Sequence, residues 1–502
     1  MLLSLDLGTT HSKAGLFNRN GELVNLALHP TATHQDSSGR AYYDPGELWS
    51  AAVEIIREIS DGINPKEITA VGIASMAETG LLVDKKSAEP RSYMFPWYDA
   101  SALTRVKELE HDRDPIRQFI RSGIRPNFKC SLAKLLWIRD THPQWLEGST
   151  WLSTADYIAL RLTGEIATDF SLAGRTYAFR IDRLSWDQDW LVTLGLPADV
   201  FPPALPSGQP IGQVSAAAAS LTGLSPGTPV AICGHDHVCG AFALVGTESG
   251  QVLDSMGTAE ALIGSFDRDQ LGTKEFRSGL VFGRHVAGGG YYWMGGMSTS
   301  GGSLDWLRRI LAEPQLSYEE LDRLLEDLPP APTGIIFLPY LAGSGSPHTD
   351  IHIRGALIGL DQSHNRSDLV KAVLEGTAFE SEFIRQAVSQ ILKIDISSLA
   401  ASGGGTQIRQ WMQIKADVSG CGITVPEIRE STLLGAALLA GIGCGVYSDE
   451  MDARSSLINI PASIYHPNQS QHHVYQELYQ QGFLAYQKPL RESSSISSAS
   501  QT

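Results

Sequence analysis

Two short turns of one kind, half a chain apart, limit what this chain can fold into. Asp6-Leu7-Gly8-Thr9-Thr10 ends an apolar strand, Leu2 to Leu7, and a returning run from Ala14 to Phe17 follows it. Asp254-Ser255-Met256-Gly257-Thr258 also ends a short apolar strand and is followed by apolar residues. The repeat suggests two related halves, each presenting a Gly-Thr turn, with the turns facing one another across a cleft. Around them strands and helices alternate. Asn20-Gly21 marks a hairpin with Glu22 to Leu28 returning. Asp44-Pro45 precedes a helical pattern from Gly46 to Ser60, and Ile68 to Ala74 reads as a buried strand. This alternation predicts an α/β fold. From Asp182 to Pro229, Pro, Gly and Ser punctuate a connecting region. Val230 to Cys233 is then a strand, and Gly240 to Val245 a helix leading into the second half. The expected domains are therefore 1–244 and 245–492, with the Ser-rich 493–502 as a disordered tail.

Composition narrows the function classes. A chain of 502 residues, 42% hydrophobic and 19% charged, has room for two or more full cores. Its formal net charge of −16 argues against nucleic acid as a general partner, because phosphate neutralisation needs a basic face. A nucleotide stays open to it, since a few local donors and a cation hold a triphosphate. No apolar run reaches about 18 residues, so no spanning helix and no membrane partner are expected. Leu433 to Val446 comes nearest, but it is short, carries glycines and reads as a buried helix. Residues 1–17 have no basic leader and are interrupted by Asp6, unlike a signal peptide. The five cysteines are odd in number and form no C-x-x-C, which fits buried free thiols in a reducing cytoplasm.

Three segments can carry chemistry. In Asp6-x-Gly8-Thr9-Thr10 the glycine lets backbone approach a phosphate, Asp6 can hold Mg²⁺ through waters, and Lys13 can add positive charge. An ordinary hairpin has the same pattern. Cys233-Gly234-His235-Asp236-His237-Val238-Cys239 suggests zinc, but an extended run would separate the two cysteines by about 20 Å and a helix cannot converge all four ligands. The better reading is a strand ending at Gly234 with Asp236 projecting into a cleft, able to take a proton from a substrate hydroxyl. Asp236 also suits a helix N-cap. Ser402-Gly403-Gly404-Gly405-Thr406 opens a helical pattern from Ile408 to Ser419. It lets a flat ligand or a phosphate sit close, unless it is simply a flexible loop.

Together these residues resemble the FGGY family of carbohydrate kinases. The matching pieces run in family order over nearly the whole chain: DLGTTHSKAGLF, GHDHVCGA, DSMGTAEAL, FLPYLAGSGSPHTDIHIRGALIGL, LEGTAFE, ASGGGTQIRQWMQIKADVSG and ESTLLGAALLAGIGCGVY. The resemblance implies two actin-like (ribonuclease H-like) domains flanking a central cleft and closing over ATP and substrate. It implies Asp236 as general base, with Asp6 and Asp236 flanking Mg²⁺. Thr9, Thr10, Lys13 and the Gly257-Thr258 turn would hold the phosphates. Gly404, Gly405 and Gln407 would line the adenine pocket, and Ala77, Glu78, Asp99 and Asp236 would meet the substrate.

The chain also departs from family patterns. Members often have Gly-Glu-Arg-Thr-Pro where Gly343 to Pro347 reads GSGSP. Ser75-Met76-Ala77-Glu78-Thr79 lacks the Met-His-Gly of xylulose kinases. It matches the Arg-Glu-Thr of glycerol kinases except that Ala77 replaces the arginine. The small Ala77 leaves room for more than three carbons, so a four- to seven-carbon ketose or polyol is expected. D-xylulose is one such candidate, and a homodimer is the one assembly entertained. A non-catalytic ATP-binding sugar sensor of the same fold is the rival. Retention of both Asp6 and Asp236 argues against it.

Overall fold

The computed structural model describes residues 1–267, 271–326, 328–457 and 460–499, with 493–499 described by backbone alone. The first half is built on six strands: β1 (Leu2–Leu7), β2 (His11–Phe17), β3 (Leu23–Pro30), β4 (Ala70–Ser75), β5 (Pro210–Gln213) and β6 (Pro229–His235). Their order is β5-β6-β4-β1-β2-β3. The main sheet of the second half has seven among the described residues: β7 (Val252–Met256), β8 (Glu260–Phe266), β9 (Val281–Arg284), β10 (Tyr291–Met297), β11 (Ser398–Ser402), β12 (Gly422–Pro426) and β13 (Ala462–Tyr465). They are ordered β9-β10-β8-β7-β11-β12-β13.

Five strands of each sheet share one plan. β1-β2-β3 and β7-β8-β10 are antiparallel meanders, and two parallel strands extend each from its first member, β4 and β6 in one, β11 and β12 in the other. The two Gly-Thr turns occupy the same place in both, the hairpin after the first strand. Their registers nevertheless differ. Asp6 stands two residues before Gly8, whereas Asp254 stands three before Gly257. A one-residue offset reverses the face of a strand. Asp6 therefore ends beside Asp236, and Asp254 is buried within its own half.

The helices that position the site are α1 (Pro45–Ser60), α2 (Ser131–Thr141), α3 (Asp236–Val245), α4 (Arg409–Ser419) and α5 (Ser431–Gly443). Helix α1 begins where Asp44 accepts a bond from the Glu47 amide, an N-cap followed by Pro45. It covers one face of the first sheet, where Leu3, Leu5, Leu7, Val71, Ile73, Val230 and Ile232 form a core with its Ile55, Ile56 and Ile59. On the other face the same strands carry small residues: Ser4, Ala70, Gly72, Ala74 and Ala231. This period-two alternation of large and small side chains decides what packs where. The small face receives α5 from the second half, with α3 crossing it. A β-carbon on Gly72 would meet the Ala436 carbonyl, and one on Gly435 would meet the Cys239 carbonyl.

Asp236 is the first residue of α3 rather than its cap, which is His235. Residues 493–499, read above as a tail, continue the backbone of the terminal helix Leu484–Ala499, and 500–502 lie outside the described residues. No helix among the described residues is long and apolar enough to cross a membrane.

The α3–α5 crossing predicts a sharp effect from one methyl group. Gly435→Ala forces two backbones apart and should cost about 1–3 kcal/mol, the usual penalty of overpacking, despite alanine's better helix propensity. Equilibrium urea unfolding checks it, and an unchanged or raised midpoint contradicts the close crossing.

Candidate active site

A cavity of about 380 Å³ opens between the halves, with Thr9, Ala77, Glu78, Trp97, Arg175 and Asp236 on its first-half wall and Glu260, Ser298 and Ser346 on the other. Asp236 reaches it because β6 ends in a sharp turn. A bulge lies between Ile232 and Gly234, and Gly234 adopts φ +113° against Ser171 and Asp169, where no side chain fits. The His235 amide then bonds to Ser171 Oγ at 2.9 Å. Asp236 Oδ1 accepts from the His237 amide at 2.6 Å, and His235 Nε2 lies 3.2 Å from the same oxygen. Burial raises the Asp236 pKa above the ordinary carboxylate value, against the opposing charge of His237. Burial likewise drives His235 well down, so its ring is neutral.

Asp6 stands beside this group. Its Oδ1 is out of solvent with no hydrogen-bond partner. Burial first, then the Asp236 charge, push its pKa up to about 8. Two buried carboxylates side by side, one with an unpartnered oxygen, make a donor set suited to a hard divalent cation. Lys13 does not serve the turn as a free cation. Its Nζ is held 2.8 Å from Glu430 Oε2, at the start of α5. In the turn itself, Thr9 Oγ1 accepts from Trp97 Nε1 at 3.0 Å and Thr10 is exposed.

The second turn faces solvent at Gly257 and Thr258. Its carbonyls accept bonds from the amides of Ser300, Gly301 and Gly302, which fix the turn against the following helix start. Gly403, at φ +99°, lies against the Met256 carbonyl, so the glycine-rich loop abuts the end of β7. Gly404 and Gln407 are exposed there and Gly405 is half-buried. Behind the turn, Lys415 on α4 bonds Asp254 Oδ2 at 2.7 Å and Glu260 Oε1 at 2.6 Å. Asp254 is thus a strut of the turn, while Asp6, its apparent counterpart, stands beside Asp236.

On the first-half wall, Ala77 and Glu78 line the cavity but Asp99 does not. Asp99 is buried, and its Oδ1 closes a local turn by accepting from Ser101 Oγ at 2.8 Å. Short polar side chains next to a turn are drawn to such bonds. Glu78 is held by Arg175, whose Nε and Nη2 both donate to Glu78 Oε1. Arg175 was invisible to sequence reasoning, because nothing in Leu172-Ala173-Gly174-Arg175-Thr176 marks it off from a surface arginine. The GSGSP loop reaches the cleft through Ser346, whose Oγ donates to the Gly279 carbonyl at 3.0 Å.

Family models place this geometry. The N-terminal domain model of the FGGY family of carbohydrate kinases matches residues 1–243, and the C-terminal domain model matches 255–444. The chain belongs to the FGGY family of carbohydrate kinases. It is similar to a xylulose kinase of Bacillus subtilis (strain 168), 28% identical over 92% of each chain. It is also similar to a glycerol kinase of Thermus brockianus, 31% identical over 89% of this chain and 90% of that one. Among solved structures, the xylulose kinase of Rhodospirillum rubrum superposes with a TM-score of 0.87 at 27% identity, over 98% of this chain and 99% of that one. The fold is the two-domain actin-like fold. As an FGGY kinase the protein is a phosphotransferase with ATP as donor and a sugar or polyol as acceptor.

The Glu78–Arg175 pair yields a prediction. The two side chains are 9% and 10% exposed, so removing one strands the other's charge. Arg175→Met should cost about 3–5 kcal/mol, and Glu78→Gln combined with Arg175→Met should recover part of that loss. Urea unfolding of the three proteins decides it. A single variant within about 1 kcal/mol of the parent contradicts a buried pair.

Proposed function

We propose that this kinase transfers the γ-phosphoryl group of ATP to a hydroxyl of a four- to seven-carbon ketose or polyol, with Asp236 as general base. One observation carries the reading: Asp236 stands at the cavity wall that also presents Glu78, beside the first Gly-Thr turn, with the opposing half across the gap. A base for this reaction has to lie within hydrogen-bond reach of the acceptor hydroxyl while leaving that oxygen's path to the γ-phosphorus open. Oδ1 is engaged by the His237 amide and lies near His235, which leaves Oδ2 to take the proton. Burial makes the carboxylate more basic than in water, which improves proton abstraction near neutral pH.

Asp6 and Asp236 are the residues that would hold Mg²⁺, for which the unpartnered Asp6 Oδ1 speaks. The cation would neutralise charge on the transferred phosphoryl group. Thr9, Thr10, Gly257 and Thr258 would meet the phosphates. Gly404, Gly405 and Gln407, beside β7, would meet the adenine. Closure of the halves would exclude water, which otherwise competes with the sugar for the phosphoryl group.

Acceptor length follows from Ala77. At the cavity wall it contributes a methyl group and no charge, which leaves space that a three-carbon polyol does not fill. Unfilled apolar and polar contact lowers the binding energy available for catalysis.

ADP release tests the reading with a panel of ketoses and polyols of three to seven carbons. One of the longer compounds should exceed glycerol by at least tenfold in kcat/KM. Chelation with EDTA should abolish turnover and Mg²⁺ should restore it. Glycerol as the best acceptor, turnover that survives chelation, or no stimulation by any acceptor contradicts the proposal.

A further inference from the structure

We propose that Lys134 is the positioning residue for the sugar side of the cleft, clamping the two loops that carry Glu78 and Trp97. The inference rests on reading this cavity as the sugar site. Lys134 lies on α2 and is 0% exposed, among Leu132, Ala133, Leu135 and Leu136, all buried. Its Nζ donates to the Glu78 carbonyl at 2.6 Å and to the Pro96 carbonyl at 2.8 Å. Those carbonyls belong to separate segments, the loop after β4 and the loop before the Asp99 turn.

Each segment needs the restraint. Glu78 has φ +59°, the left-handed region that is unfavourable for a residue with a side chain. A strained residue keeps its conformation only where its surroundings over-determine it. Lys134 holds the backbone of Glu78 and Arg175 holds its carboxylate. Glu78 Oε1 takes both Arg175 bonds, so Oε2 is left for another donor. In the second segment, the residue after Pro96 is Trp97. Its amide donates to Thr79 Oγ1 at 3.0 Å and its indole to Thr9 Oγ1 at 3.0 Å. One ammonium thus ties the residue offered to the sugar to the turn offered to the phosphates. Phosphoryl transfer needs the acceptor oxygen and the phosphorus they hold to stand roughly 3–3.5 Å apart.

A buried ammonium is costly to retain. Burial draws its pKa down to about 8, and the nearby Glu78 and Asp99 charges only partly offset this. Removing it spares that desolvation cost and leaves the Glu78 and Pro96 carbonyls unpaired, a local loss that leaves the apolar packing around α2 in place. The Lys134→Met variant is therefore expected to fold while losing the clamp.

Two readouts test this with Lys134→Met and with Lys134→Gln, which retains donors. The first is kinetic, using the panel acceptor with the highest kcat/KM. Lys134→Met should raise the KM for that acceptor at least tenfold and leave the KM for ATP within twofold, and Lys134→Gln should recover part of the change. A protein that only folds less well would lose kcat at constant KM. The second readout needs no sugar. Hydrogen exchange of the ligand-free variant should show the amides of Gly80, Phe95 and Trp97 losing protection at least tenfold, while α2 and the second half keep theirs. If the parent protein releases no ADP with any acceptor, the sugar reading fails and exchange alone still decides the clamp. Unchanged protection at those amides, loss spread through α2, or an unaltered acceptor KM in an active variant overturns the proposal.

Discussion

Helix α5 is coded in the second half and packs on the first half's sheet, and the site depends on how closely it lies there. Glycine sets that distance. Gly435 lies against the Cys239 carbonyl and Gly72 against the Ala436 carbonyl, contacts that no larger residue permits. Three further features hang on the crossing. Thr432 Oγ1 donates to the Asp236 carbonyl at 3.2 Å, fixing the start of α3. Glu430, just before α5, holds Lys13 opposite Asp6 on the first hairpin. The buried thiol of Cys233 donates to the Ala436 carbonyl at 3.2 Å, which gives the Cys/His cluster a packing role. The residue proposed as base, the carboxylate proposed for the cation and the joint between the halves therefore form one contiguous assembly.

The electrostatics of that assembly run against stability. Asp6 and Asp236 each lose hydration and repel one another, and Asp6 Oδ1 gains nothing in return. A fold retains such a cost where a ligand relieves it. The second half shows the contrasting arrangement. Asp254 and Glu260 share Lys415, which offsets part of the cost of burying them and ties the second Gly-Thr turn to α4, although Asp254 Oδ1 is itself unpartnered. Two hairpins of one topology thus divide the labour, one left open to a cation and one closed by a lysine.

Much of this was legible in the chain. The Gly-Thr turns, the strand before Asp236, the helix from Gly46 and the apolar helix near 433–446 all appear within a few residues of where they were read, because each has a local signature in spacing and punctuation. Other residues have partners that no local pattern shows. Lys13 is marked in the sequence only by its place on the strand returning from the turn, and Asp99 only by the family resemblance. Their actual partners, Glu430 and Ser101, lie respectively half a fold away and within a turn. Asp254 looked like a second Asp6 until the one-residue offset was set on a strand. Lys134, Arg175 and Lys415 went unseen because their roles exist only between elements. Of these, only Lys134 left a trace, a single charge inside the apolar run Leu132 to Trp137.

The central claim is that Asp236 takes the acceptor's proton. Replacing it with asparagine keeps size and hydrogen bonding while removing the base. With the best acceptor of the panel, Asp236→Asn should lower the rate of ADP release by about 10²–10⁴-fold and leave the dissociation constant for ATP within a few-fold. Turnover near the parent rate, measured with the same acceptor at saturating ATP, would contradict the assignment.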